Sequence, residues 1–400
     1  VGGSPYGGGV TDRITTRGLG RALLARQHLL DRTPTDAVAV VAHLVALQSQ
    51  TPTSAYLALH ARVDGFAHAD LAEPMLDRRV GRLALLRDTV HLATADDALA
   101  LWPVLAPTLR RHLTANVSAA PTLRQVDLDE LRRVARAVLD ADGPLTAGDL
   151  GARLARTWPG LDPRALAMGA RGLLPLVQVT PRGVWGRSMP TTWTPADAWF
   201  GAPVAEPTDP EDARADLLRR YLAAYGPATV ADAQRWAGLT GLASAVDRAG
   251  LVEVEHTDGP RGRPRVLLDV PDAPRPDPDA PAPVRLLPDF DDVLLGHDDR
   301  SRMVPPDVRP ALASRNGMPP GTVLVDGTVA GTWALRRERL PRLAGAPRTR
   351  RERAVLAVVP LRRWSRGDRG AVLAEAERLA RFAADDAAEH AVTITAAIGT

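Results

Sequence analysis

Residues 48–50 read Gln-Ser-Gln and stand directly before Thr51-Pro52. A side-chain amide carries both donors and an acceptor, so two of them at close range can grip one water or one base edge. On an unbroken helix, residues i and i+2 point about 200° apart. The proline pushes Thr51 out of helical geometry, and if the chain leaves the helix here both amides can turn to one side. The plainer alternative is a pair of polar residues capping a helix end. The charged candidates are all arginine. Arg261, Arg263 and Arg265 alternate in "DGPRGRPR" between two β-prone runs, as a hairpin tip able to meet successive phosphates or enter a groove. Arg300 and Arg302 flank a serine and can reach phosphate, or pair with Asp298 or Asp299. Arg87 and His91 lie in "LRDTVHL". A histidine in such a β run is more often a hydrogen-bonded structural residue than a site residue.

Composition removes several chemistries. None of the 400 residues is cysteine, and all 50 basic residues are arginine. Disulfides, thiolate metal sites and cysteine nucleophiles are excluded, as are side-chain Schiff bases and a Walker lysine. Scarce isoleucine and asparagine, with no lysine, point to a very GC-rich genome of the actinomycete kind. No His-x-x-x-His pair with a glutamate signals zinc, and no Gly-x-Ser-x-Gly elbow occurs. The acidic pairs Asp96-Asp97 and Asp291-Asp292 can serve a glycosidase only if the fold brings them together; otherwise they read as surface charge or helix caps. A net charge of +3 says little about partners, so the distribution of charge matters more.

The elements that must position these groups recur along the chain. Residues 1–10 are glycine-rich and uncharged and read as a disordered leader or an added remnant. A helix follows from Thr15. A second is expected from Thr33-Pro34 through Leu47 to Gln48, a third over 54–63 and a fourth over 70–78. Two β-prone runs, 83–87 and 89–93, then complete a winged helix. The order repeats with helices at 127–142, 146–157 and 162–174 and a hairpin of 176–180 with 184–187. It repeats again with helices at 211–224, 229–237 and 242–249 and strands at 252–257 and 265–270. The expected layout is α+β: winged helix 1 over 11–115, winged helix 2 over 116–205 and winged helix 3 over 206–270. A proline-rich linker spans 271–283, and a small β-barrel-like domain fills 284–400. Asp326-Gly327 marks a tight hairpin there, short β runs include 293–295, and a helix over 371–384 precedes a last strand, 392–398.

Several features occur together in a specific order: Gln-x-Gln, three winged-helix-like units, "LRDTVHL", and "DFDDVLLGHDDRSR" followed by "VLVDGTVAGTW". In this the chain resembles the AlkZ/YcaQ family of winged-helix DNA glycosylases over roughly residues 12–400. The resemblance implies three winged helices and a β-barrel arranged as a C around double-stranded DNA. It implies excision of bulky alkylated purines and unhooking of interstrand crosslinks. Family members carry Gln-x-Gln or Gln-x-Asp at the catalytic position, which places catalysis on Gln48 and Gln50. With glutamine at both, the sequence is similar to the antibiotic self-resistance branch acting on azinomycin-type crosslinks. Also implied are no cofactor or metal, no membrane, and a monomer working at the nucleoid in the cytoplasm. The alternatives from the residues are a non-catalytic winged-helix regulator and, more remotely, a sugar hydrolase.

Overall fold

The computed structural model describes residues 12–204, 206–313, 318–341 and 351–396, with Arg261 described in its backbone only. The glycine-rich start and the end of the last expected strand lie outside the described residues. The fold is α+β, with three sheets among the described residues. No described helix is long and apolar enough to cross a membrane.

Polar caps set most helix starts. Thr15, Asp36, Thr94, Asp127, Thr146, Asp162, Asp209 and Thr229 each accept a backbone N–H from the first turn of the helix that follows. The first run contains helices Thr16–Arg26, Ala37–His43, Ser54–Arg62 and Ala69–Leu76, and then strands Val80–Ala84 and Val90–Thr94. A helix not anticipated from sequence follows, Ala95–Ala115, with Pro103 and Pro107 inside it. Those prolines mask its period, because proline removes an internal hydrogen bond and reads as a breaker. The second run holds helices Leu128–Asp142, Ala147–Leu154 and Pro163–Leu173. Its second strand is Thr192–Pro195, not 184–187, where the chain only turns. The third run holds Pro210–Tyr225, Val230–Ala237, a 3-10 turn Leu242–Arg248, and strands Val252–His256 and Arg265–Asp269.

The first two hairpins share one six-stranded sheet. Its order is Leu47–Gln48, Val90–Thr94, Val80–Ala84, Leu176–Gln178, Thr192–Pro195 and Leu145–Thr146. The start of the chain docks on the third hairpin instead: Asp12–Ile14 pairs in parallel with Val252–His256. Leu19 and Ala22 pack there against Val254 and Leu267. Proline-rich residues 271–283 contain no helix or strand. The last region is a five-stranded sheet in the order Arg285–Leu287, Gly321–Val325, Thr328–Arg339, Glu352–Pro360 and Glu389–Ile394. The helix Arg366–Ala383 lies against it. Residues 293–295, expected as a strand, belong instead to a one-turn helix, Asp292–Leu295. One large core joins the first run, the third run and the start of this last region, while the second run keeps a core of its own.

A buried ion pair fixes the docking of the chain start. Arg26 and Asp269 are fully buried and make paired hydrogen bonds of 2.6 and 2.9 Å. The Arg26 guanidinium also donates to the Leu222 carbonyl at 2.8 Å. Removing one partner leaves a buried charge without its counter-ion. Asp269→Ala should therefore lower unfolding free energy by about 3–5 kcal/mol. The double replacement Arg26→Met/Asp269→Leu should cost much less. Urea unfolding of both variants reads this out, and equal losses in the two would contradict it.

Candidate active site

The second helix stops at His43, four residues before the expected end of its apolar run. Leu44 continues a short turn, and Val45 takes a left-handed conformation at φ 71°. A β-branched residue is rarely found there, and the reversal turns the chain from helix into strand. Gln48 therefore lies on an extended segment opposite His91, and the Ser49 N–H donates to the Val90 carbonyl at 2.8 Å. Gln50 follows at a bend just past the strand, and both side-chain amides lie against the segment 87–90.

Both amide carbonyls are held by the protein. Arg87 Nη2 donates to Gln48 Oε1 at 2.6 Å, and the Val90 N–H donates to Gln50 Oε1 at 3.3 Å. A guanidinium and a backbone N–H can only donate, so these contacts fix which end of each amide is oxygen. Gln48 is 6% exposed, whereas Gln50 lies in the open. Beneath them runs Arg82. It donates to Ser49 Oγ at 3.1 Å, to the Ser49 carbonyl at 2.6 Å and to Gln178 Oε1 at 2.7 Å. Burial, with Arg182 nearby, lowers its pKa to about 10.

Three carboxylates from the far side of the linker reach the strand and the helix that follows it. Asp289 accepts from the hydroxyls of Thr51 and Ser54, both at 2.7 Å. Asp291 pairs with buried Arg62 through bonds of 2.7 and 2.8 Å and caps the helix that follows it. Asp292 accepts the Gln48 N–H at 2.7 Å and Arg87 Nη2 at 3.3 Å. Phe290 between them is left-handed at φ 58°. Sequence alone makes Asp291 and Asp292 surface charge or caps. The cap is present on Asp291, but both residues are buried. The signal available in sequence was their place in the acidic run just after the linker.

The arginine candidates separate into two groups. Arg87, expected at DNA, turns inward at φ 56° and donates to the Trp236 carbonyl as well as to Gln48 and Asp292. Gly238 permits this approach, since a Cβ there would lie 2.9 Å from Arg87 Cα. His91 is fully buried. Its Nδ1 lies 2.9 Å from the Thr89 carbonyl, and burial lowers its pKa to about 3. Arg302 is 4% exposed and donates to the Pro227 carbonyl at 2.9 Å. Arg265 pairs with Asp299 at 3.2 Å and also reaches His256 Nδ1. Interior bonds occupy these four, and His91 and Arg302 have no surface from which to meet DNA. Arg263 and Arg300 are exposed, and neither side chain has a hydrogen bond or ion pair among the described residues. The side chain of Arg261 lies outside them.

Burial raises the pKa of Asp292 to about 6, against the opposing pull of Arg87. An unfolded aspartate titrates near 3.9. The protonated form is thus favoured by folding. The stability this group contributes is full below about pH 4 and is lost as pH rises through about 6. Relative to Asp292→Asn, the wild type should lose about 3 kcal/mol of stability over that window. Paired denaturation curves at several pH values test this, and a gap constant with pH would contradict it.

The model for the DNA glycosylase AlkZ-like family matches residues 41–382. A curated relative, an interstrand DNA cross-link repair glycosylase from Streptomyces sahachiroi, is 28% identical over 329 residues, covering 78% of this chain and 85% of that protein. The solved structure of the Streptomyces sahachiroi DNA glycosylase AlkZ matches with a TM-score of 0.73 at 23% identity, over 96% of this chain and 100% of that one. At that identity the structural match speaks for the fold. The family match, which spans both glutamines and the acidic run packed against them, establishes that the chain belongs to the AlkZ-like family of DNA glycosylases.

Proposed function

We propose that this glycosylase is monofunctional and hydrolyses the N-glycosidic bond of N7-alkylated purines in double-stranded DNA, including those joined in interstrand crosslinks. Its biological role on this reading is self-resistance to a DNA-alkylating antibiotic. The observation that carries the proposal is the pair of amides beside segment 87–90, each carbonyl pinned by a donor and neither amino group hydrogen-bonded among the described residues. Family membership removes the non-catalytic regulator as a reading of the chain.

The chemistry matches such a site. Alkylation at N7 makes the purine a cationic leaving group that needs little acid assistance. What remains is to hold a water against the sugar carbon as it acquires oxocarbenium character. Each amide keeps two N–H donors and one carbonyl lone pair for that water, which supplies orientation more than base strength. The absence of lysine removes the usual side-chain amine for cutting the strand, so the product is an abasic site.

Gln48→Ala and Gln50→Ala should each reduce base release from N7-alkylguanine duplex by on the order of 10²-fold, since orientation is lost. Duplex affinity and melting temperature should stay close to wild type. Chromatographic detection of free alkylguanine decides the matter: wild-type rates in both variants would overturn the assignment. Gln50→Asp should retain part of the activity with a changed substrate preference.

Exposed Arg263 and Arg300 are proposed to meet phosphate. Each neutralised contact contributes about −0.9 to the slope of log affinity against log salt. Arg263→Ala/Arg300→Ala should flatten that slope by up to about 2 on damaged and undamaged duplex alike. An unchanged slope in a binding titration would show that both are merely solvated.

A further inference from the structure

We propose that Arg87, anchored by Asp292, is a positioning residue that holds the Gln48 amide in one orientation, carbonyl inward and amino group toward DNA. This deepens the reading of the glutamine pair given above and rests on it.

An unrestrained primary amide can flip by half a turn and exchange its donor face for its acceptor face with little change in shape. A site that orients a water has to prevent that exchange. The Gln50 carbonyl meets only a backbone N–H at 3.3 Å, on an exposed side chain. The Gln48 carbonyl meets a guanidinium at 2.6 Å on a nearly buried one. Flipping Gln48 would put its amino group against a cation that has no acceptor to offer. Of the two amides, Gln48 is the locked one.

The lock is itself overdetermined. Arg87 is held by the Trp236 carbonyl and by Asp292. The same carboxylate takes the backbone N–H of Gln48, so one buried group fixes both the main chain and, through Arg87, the side chain. Asp292 is 2% exposed and faces the protein interior, so it acts through Arg87 and Gln48. The left-handed turn at Arg87 and Asp88 persists because these contacts dictate it.

The lock also gives the reaction a pH signature. Arg87 and the Gln48 N–H favour the charged form of Asp292, while burial and the adjacent Asp291 disfavour it; Arg62 neutralises Asp291, and Tyr225 packs nearby without a charge. Protonating Asp292 near pH 6 removes one of the two anchors of Arg87 and weakens its hold on the amide.

Single-turnover release of alkylguanine at saturating enzyme tests this with Arg87→Ala, Arg87→Lys, Asp292→Asn, Gln48→Ala and the double variant Arg87→Ala/Gln48→Ala. Arg87→Ala should slow release on the order of 10²-fold with duplex affinity within a few-fold of wild type. It should cost nothing further in the Gln48→Ala background, because Arg87 works through that amide. Added guanidinium ion should restore part of the Arg87→Ala rate and none of the Gln48→Ala rate. The wild-type rate should fall below about pH 6, and Asp292→Asn should be slow and flat over the same range.

Additive losses in the double variant, or full activity in Arg87→Ala, would overturn the proposal. If Asp292→Asn fails to fold, the Arg87 cycle still decides. If the wild type releases no base from any alkylated duplex, the function reading fails instead. The lock is then judged by NMR: the Gln48 side-chain NH2 signals, assigned by their loss in Gln48→Ala, should move and exchange faster in Arg87→Ala. Unmoved signals would again overturn it.

Discussion

A buried carboxylate brought from a distant part of the chain sets the geometry of the glutamine strand. Asp292 is 244 residues from Gln48, yet it takes that residue's backbone N–H at 2.7 Å. Its neighbours make the same journey, Asp291 to Arg62 and Asp289 to Thr51 and Ser54. The acidic run therefore works as a clasp. It closes the first helices against the start of the last region, and the segment it closes on carries both amides.

Such a clasp is expensive in isolation. A carboxylate out of water must be paired and hydrogen-bonded or it will take a proton. Each of the three meets that demand differently. Asp291 gets two bonds from a guanidinium, Asp289 gets two hydroxyls, and Asp292 shares one guanidinium with an amide carbonyl. Asp292 also takes the Gln48 N–H, yet its burial, opposed by Arg87, raises its pKa to about 6. Left-handed turns at Val45, Arg87, Asp88 and Phe290 lie within the same few segments. Strain of that kind survives only where surrounding contacts outnumber it. Here they are the buried pairs and the core that joins the first and third runs to the last region.

Much of this was legible in the residues, and the misses have physical causes. The order of helices and hairpins could be read because caps and turns are local: Asp127, Thr146, Asp162 and Asp326-Gly327 act within three or four residues. The end of the second helix could not, because the apolar run continues past His43 and only tertiary packing holds Val45 left-handed. The 95–115 helix was hidden by its two prolines, which a long buried helix tolerates. At the site, Gln48 and Gln50 stood out by type and spacing. His91 is the hydrogen-bonded structural histidine its β run favoured, whereas Arg87, Arg265 and Arg302 could not be placed, as sequence cannot distinguish an arginine that faces phosphate from one that faces a carbonyl. That depends on partners such as Trp236 and Pro227, whose backbone oxygens leave no trace in residue identity.

The inward arginines also explain how a chain whose basic residues are all arginine can organise a neutral amide site. A lysine at position 87 would offer one compact charge to three acceptors lying in different directions. The guanidinium spreads five donors over a plane. From one side chain it reaches the Trp236 carbonyl through Nη1 and both Gln48 and Asp292 through Nη2. Beneath the strand, Arg82 spans the Ser49 hydroxyl, the Ser49 carbonyl and Gln178 in the same manner. Both arginines hold the strand from the interior, and neither spends its donors on the surface. On the proposed function, the part of the surface at Gln48 and Gln50 offers DNA uncharged amides, with Arg82 and Arg87 set behind them. On the proposed chemistry this ordering is required: the leaving purine is already cationic and the sugar becomes so, and a bare guanidinium at the front would oppose both.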